Sequence, residues 1–465
     1  MLVGESVQKL SMEKIHHWAG GTLTGDAQMC VEHICIDSRS AKPGDLFLAI
    51  AGERFDGHDF LREVYDKGCR AFVVSRDEAC PPGTCAIRVE DTKKALARIA
   101  AGYRRQFDAS VIGITGSVGK TTTKEYIYSV LSQKGKTLKT QGNLNNEIGL
   151  PLTIMELTGE DWAAVLEMGM NHAGEMERLA KTACPDIGII TNIGVAHIEN
   201  LGSREAICAA KVEIVQGMRD DGILLLNGDE PLLYELKGKT AQKIYYYGLK
   251  NPQCDFLAED IVVENDAQHF KIKKGFPFSG TIYQKGVHNI YNALCAAACG
   301  HLLGIEAEKM EEGLRTFQNA PMRQNVFVKN GITIIDDCYN ANPDSMRAAI
   351  DVLCSFEGRK IALLGDMLEL GSYAKEAHEA LGRYLAQKQV SYLFLKGEHM
   401  KQVQSSVIKS GMPKEYVFWA QTDEELAEMA KDIVTTGDCL LFKGSRSMQM
   451  EGLMALLLEE REKNA

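Results

Sequence analysis

Between Val111 and Thr123 the chain reads VIGITGSVGKTTT: a β-branched apolar run, a glycine-punctuated turn, a lysine and three threonines. That order describes a strand feeding a loop at a helix N-terminus, where backbone N–H groups and the helix dipole favour a polyphosphate. Within Thr115, Gly116, Ser117, Val118, Gly119, Lys120, Thr121 and Thr122, the Lys120 ammonium can reach outer phosphate oxygens and the Thr121 hydroxyl can hold Mg²⁺. The common phosphate-loop spacing asks for glycine five positions before Gly119, where Ile114 stands, so the loop is a shortened form. A glycine-rich strand-to-helix turn without a ligand is the alternative reading.

Other residues could serve the same chemistry. Glu167 ends the apolar run AAVLE and His197 follows the apolar run IGIIT. In open α/β sheets the C-terminal ends of strands line the ligand crevice, so carboxylate and imidazole would both face the phosphate loop. Thr121, Glu167 and phosphate oxygens make a donor set suited to Mg²⁺. A solvated strand-end glutamate and a capping histidine are the plainer alternatives. Lys211 lies in SREAICAAKVEIVQGM and by composition reads as a surface lysine on a helix. Asn289 and Asn292, three apart in HNIYNALCAAA, share a helix face from which their amides could read a base or ribose. Asp336 and Asp337 close the strand ITIIDD and could face a nucleotide across a hinge.

The elements that must position these groups fall into three blocks. Residues 1–107 mix short strands (ICIDS, DLFLAI, AFVVS) with polar turns and a charged helix near 91–106. Residues 108–318 alternate strand and helix, predicting a mostly parallel sheet, then carry a β-rich insertion at about 254–287 and an alanine-rich helix. Residues 319–465 restart the alternation as a smaller Rossmann-type domain, with Asn319-Ala320-Pro321 at the junction. The fold class is α/β with three domains.

A chain of 465 residues with 45% hydrophobic and 25% charged residues has the composition of a soluble globular protein. A net charge of −11 argues against a nucleic-acid surface. No apolar run is long enough to span a membrane and no signal-peptide core is evident, so the expectation is cytoplasmic. The 13 cysteines include no C-x-x-C pair and read as small buried hydrophobes, not zinc ligands.

Taken together, TGSVGKTTTKE, TQGNLNNEIGLPLT, EMGMNHAGE, NIGVAHIENLGS, DDCYNANPDSMRAAI, LGDMLELG and FKGSRSMQME resemble the Mur ligases, ATP-dependent amide-bond-forming enzymes of peptidoglycan precursor synthesis. The strings look like those of the member acting last, and the D-N-P-R string of the preceding ligase is absent. The resemblance implies an N-terminal UDP-binding domain, a central ATPase domain and a C-terminal Rossmann-like domain. The implied substrates are ATP, UDP-N-acetylmuramoyl-tripeptide and D-alanyl-D-alanine, and the enzyme is expected to be a monomer. Two Mg²⁺ ions are implied, one on Thr121 and Glu167, the other on His197 and a carbamylated Lys211. Asn289, Asn292 and Arg323 match positions around adenine and phosphate, and Asp337 matches an acid near the ribose. Ser38, Arg39 and His58 in DSRSAKPGDLFLAIAGERFDGHDF, with Asn145 and Asn146, are the substrate-binding candidates; β-turn roles are the alternative for the first three. A folylpolyglutamate synthase shares the overall plan but fits NLNNEIGLP and LGDMLELG less well. A nucleotide-dependent regulator would leave Glu167, His197 and Lys211 without a use.

Overall fold

The computed structural model describes residues 9–52, 55–76 and 80–463, which form three large α/β sheets in chain order and a two-stranded ribbon of Leu10–Ser11 with Cys30–Val31. The first is a five-stranded sheet ordered Thr22–Thr24, Cys85–Arg88, Ala71–Val74, Asp45–Leu48 and His33–Cys35, parallel except at its first pair. Glu53 and Arg54 of the AGERF string lie outside the described residues.

The central sheet has nine strands. From one edge they run Phe278–Ile282, Ala267–Lys274, Phe256–Glu264, Lys243–Gly248, Ile223–Asn227, Ile187–Ile190, Ser110–Thr115, Ala163–Glu167 and Thr137–Lys139. Its inner strands are near-continuous apolar runs, as burial on both faces requires, and IGII and AAVLE are buried throughout. The β-rich stretch expected as an insertion instead continues this sheet: Tyr247 pairs in parallel with Phe256, and antiparallel hairpins complete the edge. After Ala163–Glu167 the chain crosses to the far side of Ser110–Thr115, so the strand order reverses beside the phosphate loop. Open α/β sheets bind ligands at such a reversal.

The third sheet is ordered Asn325–Lys329, Ile332–Asp336, Cys439–Lys443, Lys360–Gly365, Tyr392–Lys396 and Val417–Ala420, antiparallel only at the first pair. Helix Pro343–Cys354 follows its second strand. It starts where the sequence says it should, with Pro343 in the first turn and a capping box between Asn342 and Ser345.

The charged helix near 91–106 spans Thr92–Arg104 and does not belong to the first sheet alone. Its Tyr103 hydroxyl donates to the Leu157 carbonyl at 2.8 Å and Arg104 pairs with Asp186 at 3.0 Å. One apolar core runs from Leu10 through this helix to Leu226 beneath the central sheet. On the sheet's other face, helix Lys120–Leu131 is pinned near its middle, where the Tyr126 ring stacks on Phe317 with centroids 3.5 Å apart and planes 8° from parallel. All 13 cysteines are free, and nine of them are buried.

Candidate active site

The loop after Ser110–Thr115 turns on two glycines in the positive-φ region, Gly116 (149°) and Gly119 (82°). Gly116 is also a packing requirement, since a Cβ there would lie 1.9 Å from Thr191 Oγ1. Gly119 caps helix Lys120–Leu131, so Lys120 and Thr121 occupy its first turn. Neighbouring strand ends grip the loop. Asn192 Oδ1 accepts from the Ser117 and Val118 amides at 3.1 and 2.9 Å, and Thr191 Oγ1 donates to the Val118 carbonyl at 2.6 Å.

Glu167 ends the adjacent strand almost fully buried. Its Oε2 accepts from Thr121 Oγ1 at 2.9 Å and its Oε1 from Asn145 Nδ2 at 2.8 Å. The geometry therefore joins loop, carboxylate and Asn145. Asn146 does something else: exposed, it caps the Ile148 and Gly149 amides at 3.1 and 2.8 Å.

Lys211 is not on the surface. It is 2% exposed in helix Arg204–Val212, and its Nζ makes no hydrogen bond or ion pair among the described residues. Burial, followed by the nearby Lys120 charge, holds its ammonium well below the ordinary lysine range. Burial also lowers Lys120, with Glu167 opposing and Arg323 reinforcing the shift, while Lys120 Nζ donates to the Gly116 carbonyl at 2.8 Å.

The loop opens onto a cavity of ≈ 1040 Å³ between the central and C-terminal sheets. Ser117 to Thr122, Asn192, His197, Asn292, Arg323 and Asp337 line it. The Ser117 hydroxyl and Arg323 Nε are buried there without a hydrogen-bond partner, as is the Thr115 hydroxyl at the loop's root. Such orphaned polar atoms fit a polar ligand. Asn292 Oδ1 accepts from Thr123 Oγ1 and its amide donates to Asn289, which itself donates to Gln324 and the Lys285 carbonyl. Asp337 accepts from the Gln324 amide and pairs at 2.5 Å with buried Lys443. Arg323 lies over the Tyr339 ring at 3.9 Å and reaches Thr121 Oγ1 at 3.5 Å.

The sequence-level candidates in the first sheet do not line this cavity. Ser38 and Arg39 form a short 3₁₀ turn capped by Asp37, whose carboxylate also pairs with Arg39. His58 is buried, with Nδ1 on Asp56 and Nε2 accepting from the Ser75 amide at 2.9 Å, so both ring nitrogens are engaged within the chain. Four groups were missed. Asn192 and Lys443 sit inside strings quoted above, but each acts on a residue far away in sequence. Asp229 anchors Tyr291 at 2.6 Å beside the cavity. The fourth unforeseen group is Glu369, 2.9 Å from His197.

The donor set suits magnesium. Thr121 and Glu167 present adjacent oxygens, and Lys211 is a buried, unpaired amine that carbamylation would convert to a carboxylate-like ligand.

Three family models match the chain: "Mur ligase family, catalytic domain" over residues 31–104, "Mur ligase middle domain" over 114–300 and "Mur ligase, glutamate ligase domain" over 322–446. The UDP-N-acetylmuramoyl-tripeptide–D-alanyl-D-alanine ligase of Bacillus subtilis is 37% identical over 460 residues, covering 97% of this chain and 99% of the relative. A crystal structure of MurF from Acinetobacter baumannii superposes with a TM-score of 0.90 at 33% identity, covering 97% and 99% of the two chains. The MurF ligase of Thermotoga maritima in complex with ADP gives 0.84 at 30% identity, covering 93% and 98%.

Proposed function

The chain belongs to the Mur ligase family, and on that premise we propose that it joins D-alanyl-D-alanine to UDP-N-acetylmuramoyl-tripeptide while ATP is converted to ADP and phosphate. The observation that carries this reading is the convergence on one cavity of a phosphate loop, Arg323 and His197, with buried Glu167 and Lys211 behind the loop. A nucleotide-binding regulator needs the loop but gives no reason to bury an unpaired lysine beside it.

The first step transfers the γ-phosphoryl group of ATP to the terminal carboxylate of the tripeptide, giving an acyl phosphate and ADP. Lys120 and Arg323 supply positive charge where the transferring oxygens gather it, and the loop amides hold the remaining phosphates. The dipeptide amine then attacks the acyl carbon. The tetrahedral intermediate collapses with loss of phosphate, and the amine proton passes to a base or water. Three reactants must meet, so the docked C-terminal sheet aligns them and excludes water.

Thr121 and Glu167 would hold the magnesium of the nucleotide, and His197 with carbamylated Lys211 a second one. Bound there, the two ions would neutralise phosphoryl charge. The Lys211 carbamate would form as the neutral amine bonds to the carbon of CO₂ and loses a proton; burial supplies the neutral amine, and a bound cation would offset the charge of the carbamate. Asn289, Asn292 and Asp337 are assigned to the nucleotide, and Asn145 to the junction of loop and substrate. Ser38, Arg39, His58 and Asn146 are assigned to the UDP-substrate side, where Asn146 and His58 act by shaping turns. We place the enzyme in the cytoplasm as a monomer; no helix among the described residues is long and apolar enough to cross a membrane, and free cysteines suit a reducing compartment.

Phosphate release in a coupled assay tests the reading. It should require ATP, the UDP-tripeptide and D-alanyl-D-alanine together, and the lysine- and diaminopimelate-containing tripeptides compared side by side give the preference. Release with folate and glutamate instead, or with ATP alone, would sink it.

A further inference from the structure

His197 and Glu369 come from different sheets and meet across the cavity. His197 follows the strand Ile187–Ile190 of the central sheet, and Glu369 follows Lys360–Gly365 of the C-terminal one. His197 Nδ1 lies 2.9 Å from Glu369 Oε2, close enough for an ion pair though not aligned as a straight hydrogen bond. Both residues hold left-handed backbone conformations, φ 62° and 61°, which side chains other than glycine enter with difficulty. Strained residues of this kind persist where the surroundings over-determine them.

The surroundings here are a seam between the two sheets. Val195 packs into the C-terminal core, and Gly371 sits on Glu199, where a Cβ would be 3.1 Å from the Glu199 side chain. Leu370, buried, and Ala196 line the cavity beside the pair. Nε2 of His197 makes no hydrogen bond or ion pair among the described residues, while the ring lines the cavity.

We propose that Glu369 is a positioning residue that acts through His197: by holding Nδ1 it leaves Nε2 as the open nitrogen, and it does so only while the C-terminal sheet is docked. A carboxylate behind a ligating imidazole fixes the tautomer and raises the basicity of the other nitrogen. The site that His197 serves is thus finished by a residue from the C-terminal sheet. The inference rests on the reading of His197 as a cation ligand.

Glu369 is 64% exposed at its side chain, so Glu369→Ala and Glu369→Gln should fold. Two measurements test the role. In ligand-free protein, ¹⁵N NMR of the ring, identified by comparison with His197→Gln, should show the Nδ1–H tautomer in the parent and in Glu369→Gln, and a mixture in Glu369→Ala. With ATP saturating, Glu369→Ala should raise the half-saturating free Mg²⁺ for turnover by 10–100-fold, as outer ligands to metal sites do, with the KM for ATP little changed. An unchanged tautomer in Glu369→Ala overturns the positioning role. A shifted tautomer with unchanged Mg²⁺ dependence overturns the link to the cation. If His197→Gln itself leaves the Mg²⁺ dependence unchanged, the ligand assignment fails instead, and the NMR result still decides whether Glu369 orients the ring.

Discussion

At the scale of single residues, two lysines near enough to feel each other's charge do opposite things. Lys120 is held by the Gly116 carbonyl and faces the cavity, so Lys120→Ala removes transition-state charge compensation at the loss of one modest hydrogen bond. Phosphate release should fall by about 10²–10³-fold or more while the thermal midpoint moves by a few degrees at most. Lys211 is unpaired and buried, and its ammonium is disfavoured in the folded chain. Between that lowered value and the ordinary 10.5 the unfolded chain binds more protons, so this group's effect on stability improves as pH rises through that window. In CO₂-depleted buffer Lys211→Met should therefore unfold at a higher temperature than the parent, by a stability difference of about 1–3 kcal/mol. Bicarbonate should stabilise the parent and not the variant, and short carboxylic acids should restore part of the activity lost in Lys211→Ala. Calorimetry with and without bicarbonate checks the stabilities, and phosphate release with added carboxylic acid checks the rescue. The burial of Lys211 was legible in principle: Ile207, Cys208 and Ile214, all buried, place it on the inward face of its helix at helical spacing. Reading the lysine by type alone missed the period.

At the scale of elements, the phosphate loop is short because a neighbouring strand end does part of its work. Asn192 and Thr191 bind the Gly116–Val118 segment, so the position that usually carries a first glycine can be Ile114, buried in the strand. Asn192→Ala leaves the Val118 amide without its acceptor, at a cost of about 1–3 kcal/mol when buried, and leaves the Ser117 amide only the Asn192 backbone carbonyl at 3.2 Å. Steady-state kinetics should show the KM for ATP rising tenfold or more, and Asn192→Asp, which keeps the acceptor but adds a negative charge near the phosphates, should raise it further. An unaltered KM in both variants would remove the loop-holding role. The strands and helices flanking this loop were readable because they are periodic and bounded by local signals such as Ser203 capping helix Arg204–Val212. The Asn192 contact was not, because it joins residues 74 and 75 positions apart. The edge strands after Phe256 misled for a related reason: their alternation reports two unequal faces but not which sheet they extend.

At the scale of the whole molecule, the C-terminal sheet is held against the centre at a hinge and at a seam. On the hinge side Gln324 bonds Asp337, His288, Asn289 and the Lys285 carbonyl; on the far side lie His197 and Glu369. Gln324→Ala should loosen the docked arrangement, and small-angle scattering of the ligand-free protein should return a larger radius of gyration than the parent. Addition of a non-hydrolysable ATP analogue with the UDP-tripeptide should narrow that gap; identical curves for variant and parent would dismiss the hinge role. The three-block plan could be read from the alternation of elements, whereas the helix Thr92–Arg104 that fuses the first block's core to the second could not, since its partners Leu157 and Asp186 are distant in sequence. The stacked rings of Tyr126 and Phe317 bear on how the two sheets are joined. Phe317 clamps the chain to the nucleotide-loop helix just before the junction, leaving only Gln318 to Gln324 as the spindle. A connection that short limits how far the C-terminal sheet could turn about the central one, and with it how far Glu369 could stand from His197.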